Sequence, residues 1–278
     1  MYFLAKLWNC ELMKSLLPFM LGTVVLVGCG GSDSSDNHVS DSIIAETVKC
    51  TNLAEGGLCT QNIYGAWGQI DLTWATCNSV YCFEDGTAPA ESPSLTRWPE
   101  GGLIPVYFLN AEDPRFTYAM NKAESLVGYQ LFDRKGVIKL DISDTNNIDY
   151  SSVPTDWGFI WSQGTTAGNC GSGTVSVGPM ETNIVNHSVG LDYGIIQPIG
   201  NTFTWINIDS GSPNPDPSCT TVADNEVTLH ELGHALGMNN HFDGFGNGGA
   251  FNQNAQRVLR TIYSNPPGQP FDALSIAQ

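Results

Sequence analysis

His230 and His234 stand four residues apart with Glu231 directly after the first, and His241 follows shortly beyond. On an α-helix, residues i and i+4 share a face one turn apart, so both imidazoles can grip a single divalent cation. Zinc suits such a donor pair, and a neighbouring carboxylate can take a proton from a water that the metal activates. The chemistry available to this pattern is therefore metal-assisted hydrolysis, with Glu231 as general base. Three of the chain's five histidines fall between positions 230 and 241. His187 stands apart from them and reads as a surface or hydrogen-bonded residue. Two histidines do not complete a catalytic zinc site, so the residues after His234 must supply the third ligand.

The elements that would position these groups can be read outward from the motif. A helix is expected to start between Thr221 and Asp224, either of which could cap it. Ala223, Val227, His230 and His234 then fall on one stripe, while Leu229, Leu232, Gly233 and Leu236 gather opposite. One flank packs into a core and the other presents the imidazoles to a cleft. Gly237 supplies the backbone freedom to end the helix and turn the chain back towards the metal. Upstream, 103–109 reads as a strand. Asp113-Pro114 opens a helix that carries Phe116, Met120, Ala123, Leu126 and Val127 at helical spacing and stops at Gly128. Further strands are predicted over 136–142, 157–161, 173–177 and 202–208, followed by a Pro-rich loop at 211–217.

The N-terminal portion has a different texture. After Lys14, an apolar stretch from Leu16 to Gly28 is shorter than a membrane span. Leu26-Val27-Gly28-Cys29 resembles the lipobox of bacterial lipoproteins. That resemblance implies a signal peptide over 1–28 and a lipid anchor at Cys29. The location it implies is the bacterial cell envelope, at the outer membrane or cell surface, with release outside as a variant. Residues 29–49, rich in Gly, Ser, Asp and Asn as far as Ser42, are expected to form a flexible tether. Residues 50–95 form a small cysteine-bearing segment, with strand-like alternation at Ile70 to Trp74 and a linker over 87–94. The catalytic domain is expected over 96–278. Beyond Cys29 the cysteines are Cys50, Cys59, Cys77, Cys82, Cys170 and Cys219, an even number that suggests disulfides in an exported chain. Spacing favours Cys50–Cys59, Cys77–Cys82 and Cys170–Cys219, among about 15 connectivities that six cysteines allow. A formal net charge of −17 argues against nucleic acid or anionic lipid headgroups as partners. The expected partner is a protein or peptide substrate, met by a monomer.

His230, Glu231, His234 and Gly237 together resemble the zinc-binding helix of metzincin metallopeptidases, whose pattern is His-Glu-x-x-His-x-x-Gly-x-x-His. The run RWPEGGLIPV at 97–106 looks like the opening strand of astacin- and matrixin-like catalytic domains. The resemblance covers roughly 96–278. It implies an α+β fold with a twisted mixed β-sheet, an upstream helix and an active-site helix. It further implies a zinc-dependent endopeptidase that holds an extended substrate along an edge strand.

The chain departs from the family pattern twice. The family's third histidine would fall at Asn240, whereas the histidine here is His241. Imidazole is a better zinc ligand than an amide oxygen, and a bulge can absorb one residue. The expected metal ligands are thus His230, His234 and His241, with Asn240 and Asp243 as alternatives for the third. No methionine follows Met238, so the methionine-bearing turn that the family places beneath the metal needs a replacement. Thr261-Ile262-Tyr263-Ser264 is the expected stand-in, with Ile262 in the apolar slot. Tyr263 would either face the cleft or pack as an ordinary tyrosine. A thermolysin-like site, whose third ligand is a glutamate from a later helix, is closed because Glu231 is the last glutamate. The alternative function is a surface lipoprotein that binds zinc for structure or adhesion without catalysis.

Overall fold

The computed structural model describes residues 39–52, 94–144, 147–163, 171, 173–176, 187–189, 194–198, 203–208 and 222–278. All of these belong to one structural unit, Val39–Gln278. The chain runs through α1 (Asp41–Asn52), β1 (Ile104–Leu109), α2 (Pro114–Val127), β2 (Phe132–Ile138), β3 (Gly158–Gln163) and β4 (Gly173–Ser176). It continues with β5 (His187–Val189), β6 (Ile196–Pro198), β7 (Phe203–Ile208) and α3 (Asn225–Ala235). The short strands β8 (Phe242–Asp243) and β9 (Gly246–Asn247) precede α4 (Gln253–Ser264).

IPVYFL in β1 and FTWINI in β7 offer no polar face to water, and both strands are buried along their whole length. Such runs need cover on both sides of a sheet, as parallel strands usually have. They lie within a five-stranded sheet of order β2-β1-β3-β7-β4, in which only β4 runs antiparallel to its neighbour. Alternation along the strands divides the core. Ile104, Val106, Phe108, Phe159, Trp161, Ile206 and Ile208 face a layer containing α1, α2, α3 and α4. Tyr107, Leu109, Ile160, Phe203 and Trp205 face the other way, under a cover that includes Ile142, Ile148, Tyr150 and Val153. Helices on one face of a mixed sheet make this an α+β arrangement, as expected.

α2 follows its sequence signals: Asp113 caps it through Arg115 N at 2.8 Å, Pro114 sits in the first turn, and Gly128 closes it at φ 87°. β2 begins four residues before the predicted 136–142, because its charged run at 133–135 hid an edge strand whose residues are mostly open to solvent. The strands predicted at Ile70 to Trp74 and the linker over 87–94 lie outside the described residues, except for Ser94, which bridges to Pro270. The signal segment and Cys29 lie outside as well. Cys50 is disulfide-bonded, and Cys59, Cys77, Cys82, Cys170 and Cys219 are outside the described residues.

Two expectations require correction. The tether predicted over 29–49 is helix from Asp41 onward, with Ile44, Thr47, Val48 and Cys50 buried. Ile44, Thr47 and Val48 recur at helical spacing, and Arg257 of α4 binds the Val39 carbonyl and the Asp41 carboxylate at its start. Nor do Thr261 to Ser264 form a turn under the site. They are the last turn of α4, whose Ala255, Val258, Leu259 and Ile262 make a buried stripe at i, i+3, i+4 and i+7.

Candidate metal centre

Asp224 caps α3 by accepting from Val227 N at 2.8 Å, one of the two positions read from the sequence. The helix is buried on most of its surface, with Leu229, Leu232 and Ala235 in the core. It stops in a Schellman arrangement: Gly237 N–H donates to His234 O at 3.1 Å and Met238 N–H to Gly233 O at 3.0 Å. Gly237 takes φ 100°, a conformation that favours glycine. Trp98 Nε1 and the Tyr263 hydroxyl donate to the carbonyls of Ala235 and Leu236, at 2.8 and 3.1 Å. Tyr263 is therefore a packed tyrosine holding the end of the motif helix. Burial raises its hydroxyl pKa, so it stays protonated and donating.

Beyond Gly237 the chain returns to the helix and brings His241 against the first two histidines. The Nε2 atoms are 3.0 Å apart for His230 and His234, 3.1 Å for His230 and His241, and 3.2 Å for His234 and His241. Among the described residues these three form the group able to hold a metal ion. The other candidates for the third ligand point elsewhere. Asn240 Nδ2 donates to the Cys50 carbonyl at 3.2 Å. The Asp243 carboxylate packs over Gly248.

Hydrogen bonding settles what the imidazole nitrogens offer. His230 Nδ1 lies 3.0 Å from Ala250 O, and His234 Nδ1 lies 2.7 Å from Met238 O. A carbonyl only accepts, so both Nδ1 atoms carry protons, and a neutral ring then leaves Nε2 with a bare lone pair. Burial, then the neighbouring His241, pushes the His230 pKa down to about 3. Burial also holds His234 well below its ordinary value, helped by both other imidazoles, and partial burial lowers His241. Two bare lone pairs 3.0 Å apart repel unless a cation lies between them. Tetrahedral coordination with zinc–nitrogen bonds of about 2.0–2.1 Å places ligand nitrogens about 3.3 Å apart, close to the spacing observed. The residues present fit a metal ion.

The loop after His241 builds the floor beneath the cluster. Phe242 and Phe245 exchange backbone hydrogen bonds at 3.0 and 2.9 Å around Asp243-Gly244, a dipeptide suited to a two-residue hairpin. The fully buried Phe245 ring lies 4.1 Å from the His230 ring, 4.8 Å from His234 and 5.8 Å from His241, centroid to centroid. It occupies the apolar place under the metal group that Ile262 was expected to fill. Glycines make the fit possible. A Cβ on Gly233 would come within 2.8 Å of Phe245, and one on Gly246 within 2.6 Å of His241 Cδ2.

Glu231 is buried at 6 % exposure, on the same helix as His230 and His234. Its methylene packs against Gly173 of β4 so closely that any side chain at 173 would displace it. Glu231 therefore stands between the motif helix and antiparallel β4. From the sequence, Phe245 and Gly246 read as part of a plain Gly-rich loop over 243–247 and Gly173 as the start of a strand, and none of the three was given a role at the histidine cluster. Asp243-Gly244 between two phenylalanines was a usable signal for the first two. Gly173 had none, because its role depends on a packing partner 58 positions along the chain. No protein-family model matches this chain, and no curated protein or solved structure matches it either.

Proposed function

We propose that this chain is a zinc-dependent endopeptidase of metzincin type, exported to the bacterial envelope, lipid-anchored at Cys29 and acting on protein or peptide substrates. The observation that carries the proposal is the convergence of His230, His234 and His241 Nε2 on one point, with Glu231 on the same helix. Three imidazoles match the ligand number of catalytic zinc sites, whereas closed structural sites use four protein ligands. The family reading also accommodates the strand, helix, strands and motif helix in their observed order, with a mixed sheet ending in antiparallel β4.

Each residue then has a task. His230 and His234 hold the metal from a buried helix, with Nδ1–H bonds to carbonyls fixing both rings. A zinc ion held there supplies the Lewis acidity that polarises a peptide carbonyl and acidifies water. The Glu231 carboxylate accepts a proton during attack on the carbonyl carbon and returns it to the leaving amine nitrogen. Among the described strands, β4 is bonded to β7 on one side and ends the sheet order. Its outer edge offers an extended substrate a strand partner beside Glu231.

The deciding experiment is Glu231→Gln in the full chain. Metal analysis should show zinc retained, and a casein or gelatin assay should show hydrolysis lost. A Gln variant that cleaves at the wild-type rate would falsify the mechanism. A wild type that binds zinc but cleaves nothing would favour the binding lipoprotein.

A further inference from the structure

His230 and His234 receive their relative position from a helix, but His241 does not. It is the most exposed of the three ligands and sits at the end of an irregular connection, 237–240. That connection is held from outside. At the C-terminal end of α1, Thr51 Oγ1 donates to Asn240 O at 2.7 Å, and Thr51 O accepts from Asn239 N at 2.8 Å. Asn240 Nδ2 reaches back to the Cys50 carbonyl. Asn52 Nδ2 donates to Gly237 O at 3.0 Å and to Thr96 O at 2.7 Å, while its Oδ1 accepts from Thr96 N at 2.7 Å. Both ends of the connection are thus tied to one helix terminus.

We infer that the end of α1 is a clamp for the third metal ligand, with Thr51 as the positioning residue. Planarity of the peptide bond supplies the mechanism. The Asn240 carbonyl lies in the same rigid plane as the His241 nitrogen and Cα, so holding that oxygen orients the backbone from which the imidazole projects. Thr51 is completely buried, and its hydroxyl reaches that oxygen across 189 positions of sequence. The helix itself is immobilised by buried Ile44 and Val48 and by Arg257 at its other end, so the clamp is attached to the core. The clamp also accounts for the extra residue before His241. A connection one residue longer than the family pattern would wander without fixed points, and α1 provides them at Gly237, Asn239 and Asn240. The inference rests on His241 as a metal ligand and not on peptide hydrolysis.

The test measures zinc affinity of the full chain by competition with a chelator, alongside the visible spectrum of the cobalt-loaded form. Thr51→Val keeps shape and removes the donor. It should raise the zinc Kd by about tenfold to a hundredfold, as loss of a group that orients a ligand does. The cobalt bands should weaken as the four-coordinate geometry is lost, with helix content unchanged. Thr51→Ser restores the hydroxyl and should return both readouts to near wild type. Tyr107→Phe loses a part-buried hydrogen bond to Thr155 on the opposite face of the sheet and controls for stability alone. If Thr51→Val does not fold, half-buried Asn240→Ala removes the donor to Cys50 O and should weaken zinc in the same direction. Zinc affinity and cobalt bands in these variants indistinguishable from Tyr107→Phe would overturn the clamp. A wild type without zinc affinity would remove the metal site and the clamp together, and a His241→Ala variant binding as tightly as wild type would remove His241 as a ligand and the clamp with it.

Discussion

The histidine cluster joins two regions that achieve the same end by different means. α3 delivers His230 and His234 by its own repeat: one turn of backbone sets their spacing, and the carbonyls of Met238, four positions on, and Ala250, twenty positions on, set their ring orientations. The segment from Gly237 to Gly246 delivers His241 with no repeat at all. It relies on a Schellman stop, a clamp from α1, a hairpin at Asp243-Gly244 and a glycine beneath the ring. The spacing of the first pair is specified within one helix, whereas the second region draws in addition on contacts from α1, up to 189 positions away. Removal of a single contact should therefore matter little to the helix pair and a great deal to the loop ligand.

The largest effect, which should sharpen this contrast, comes from the ligands themselves. His234→Ala removes half of the helix pair and should reduce zinc affinity by more than the roughly hundredfold typical of an outer hydrogen-bond partner. His241→Ala leaves both helix ligands and their carbonyl partners in place, so residual weak binding should persist. Chelator competition on both variants orders them. Equal loss in the two would mean that the helix pair has no affinity of its own and would break the comparison.

A smaller effect is expected at Gly246. An added Cβ there would lie 2.6 Å from His241 Cδ2, and the backbone stands at φ 73°. Gly246→Ala must therefore shift the imidazole, and the left-handed conformation itself costs about 1 kcal/mol for a residue with a side chain. Zinc affinity should fall about tenfold, comparable to loss of an orienting partner, while far-ultraviolet dichroism reports an intact α3. If zinc binding were unaffected and only the melting temperature fell, the loop would be adaptable and the ligand not held by it.

The same contrast explains what could be read from the sequence. Asp224 and Gly237 occupy their expected roles in capping and termination, and His230 and His234 come together as expected, because each depends on the repeat or the ends of one helix. β1, β3 and β7 were legible as apolar runs, and α2 by its Pro114 start and Gly128 stop. The choice of His241 over Asn240 rested on ligand chemistry, and the observed cluster contains His241. Where the reading failed, a stronger local impression masked a periodic one. Polar residues up to Ser42 suggested a tether and hid Ile44, Thr47 and Val48. The expectation of a turn at Thr261 to Ser264 hid the stripe of α4, while the actual floor, Phe245, lay four positions after His241. The contact from Thr51 to Asn240 has no local signature, since it joins segments 189 positions apart.

Acid provides the finest separation of the two regions. His230 is pushed down to about 3 and His234 well below its ordinary value, whereas His241 is lowered by partial burial alone. In the metal-free protein these depressed values favour the fold above the unfolded-chain pKa of about 6.5. Below it the unfolded chain takes up protons that the folded chain refuses, so stability falls as the pH drops towards the folded values. Burial keeps His230 and His234 in the ligating, neutral form far into that range, which leaves His241 to protonate first. Zinc affinity of the wild type should therefore decline as the pH falls through the lowered His241 value, with an initial slope of about one proton per metal, steepening only at lower pH. In His241→Ala the weaker residual affinity should lack that first phase. The check is zinc affinity measured against pH for both proteins. A slope approaching three protons from the onset would mean that the imidazoles titrate together, and that helix and loop form one electrostatic unit.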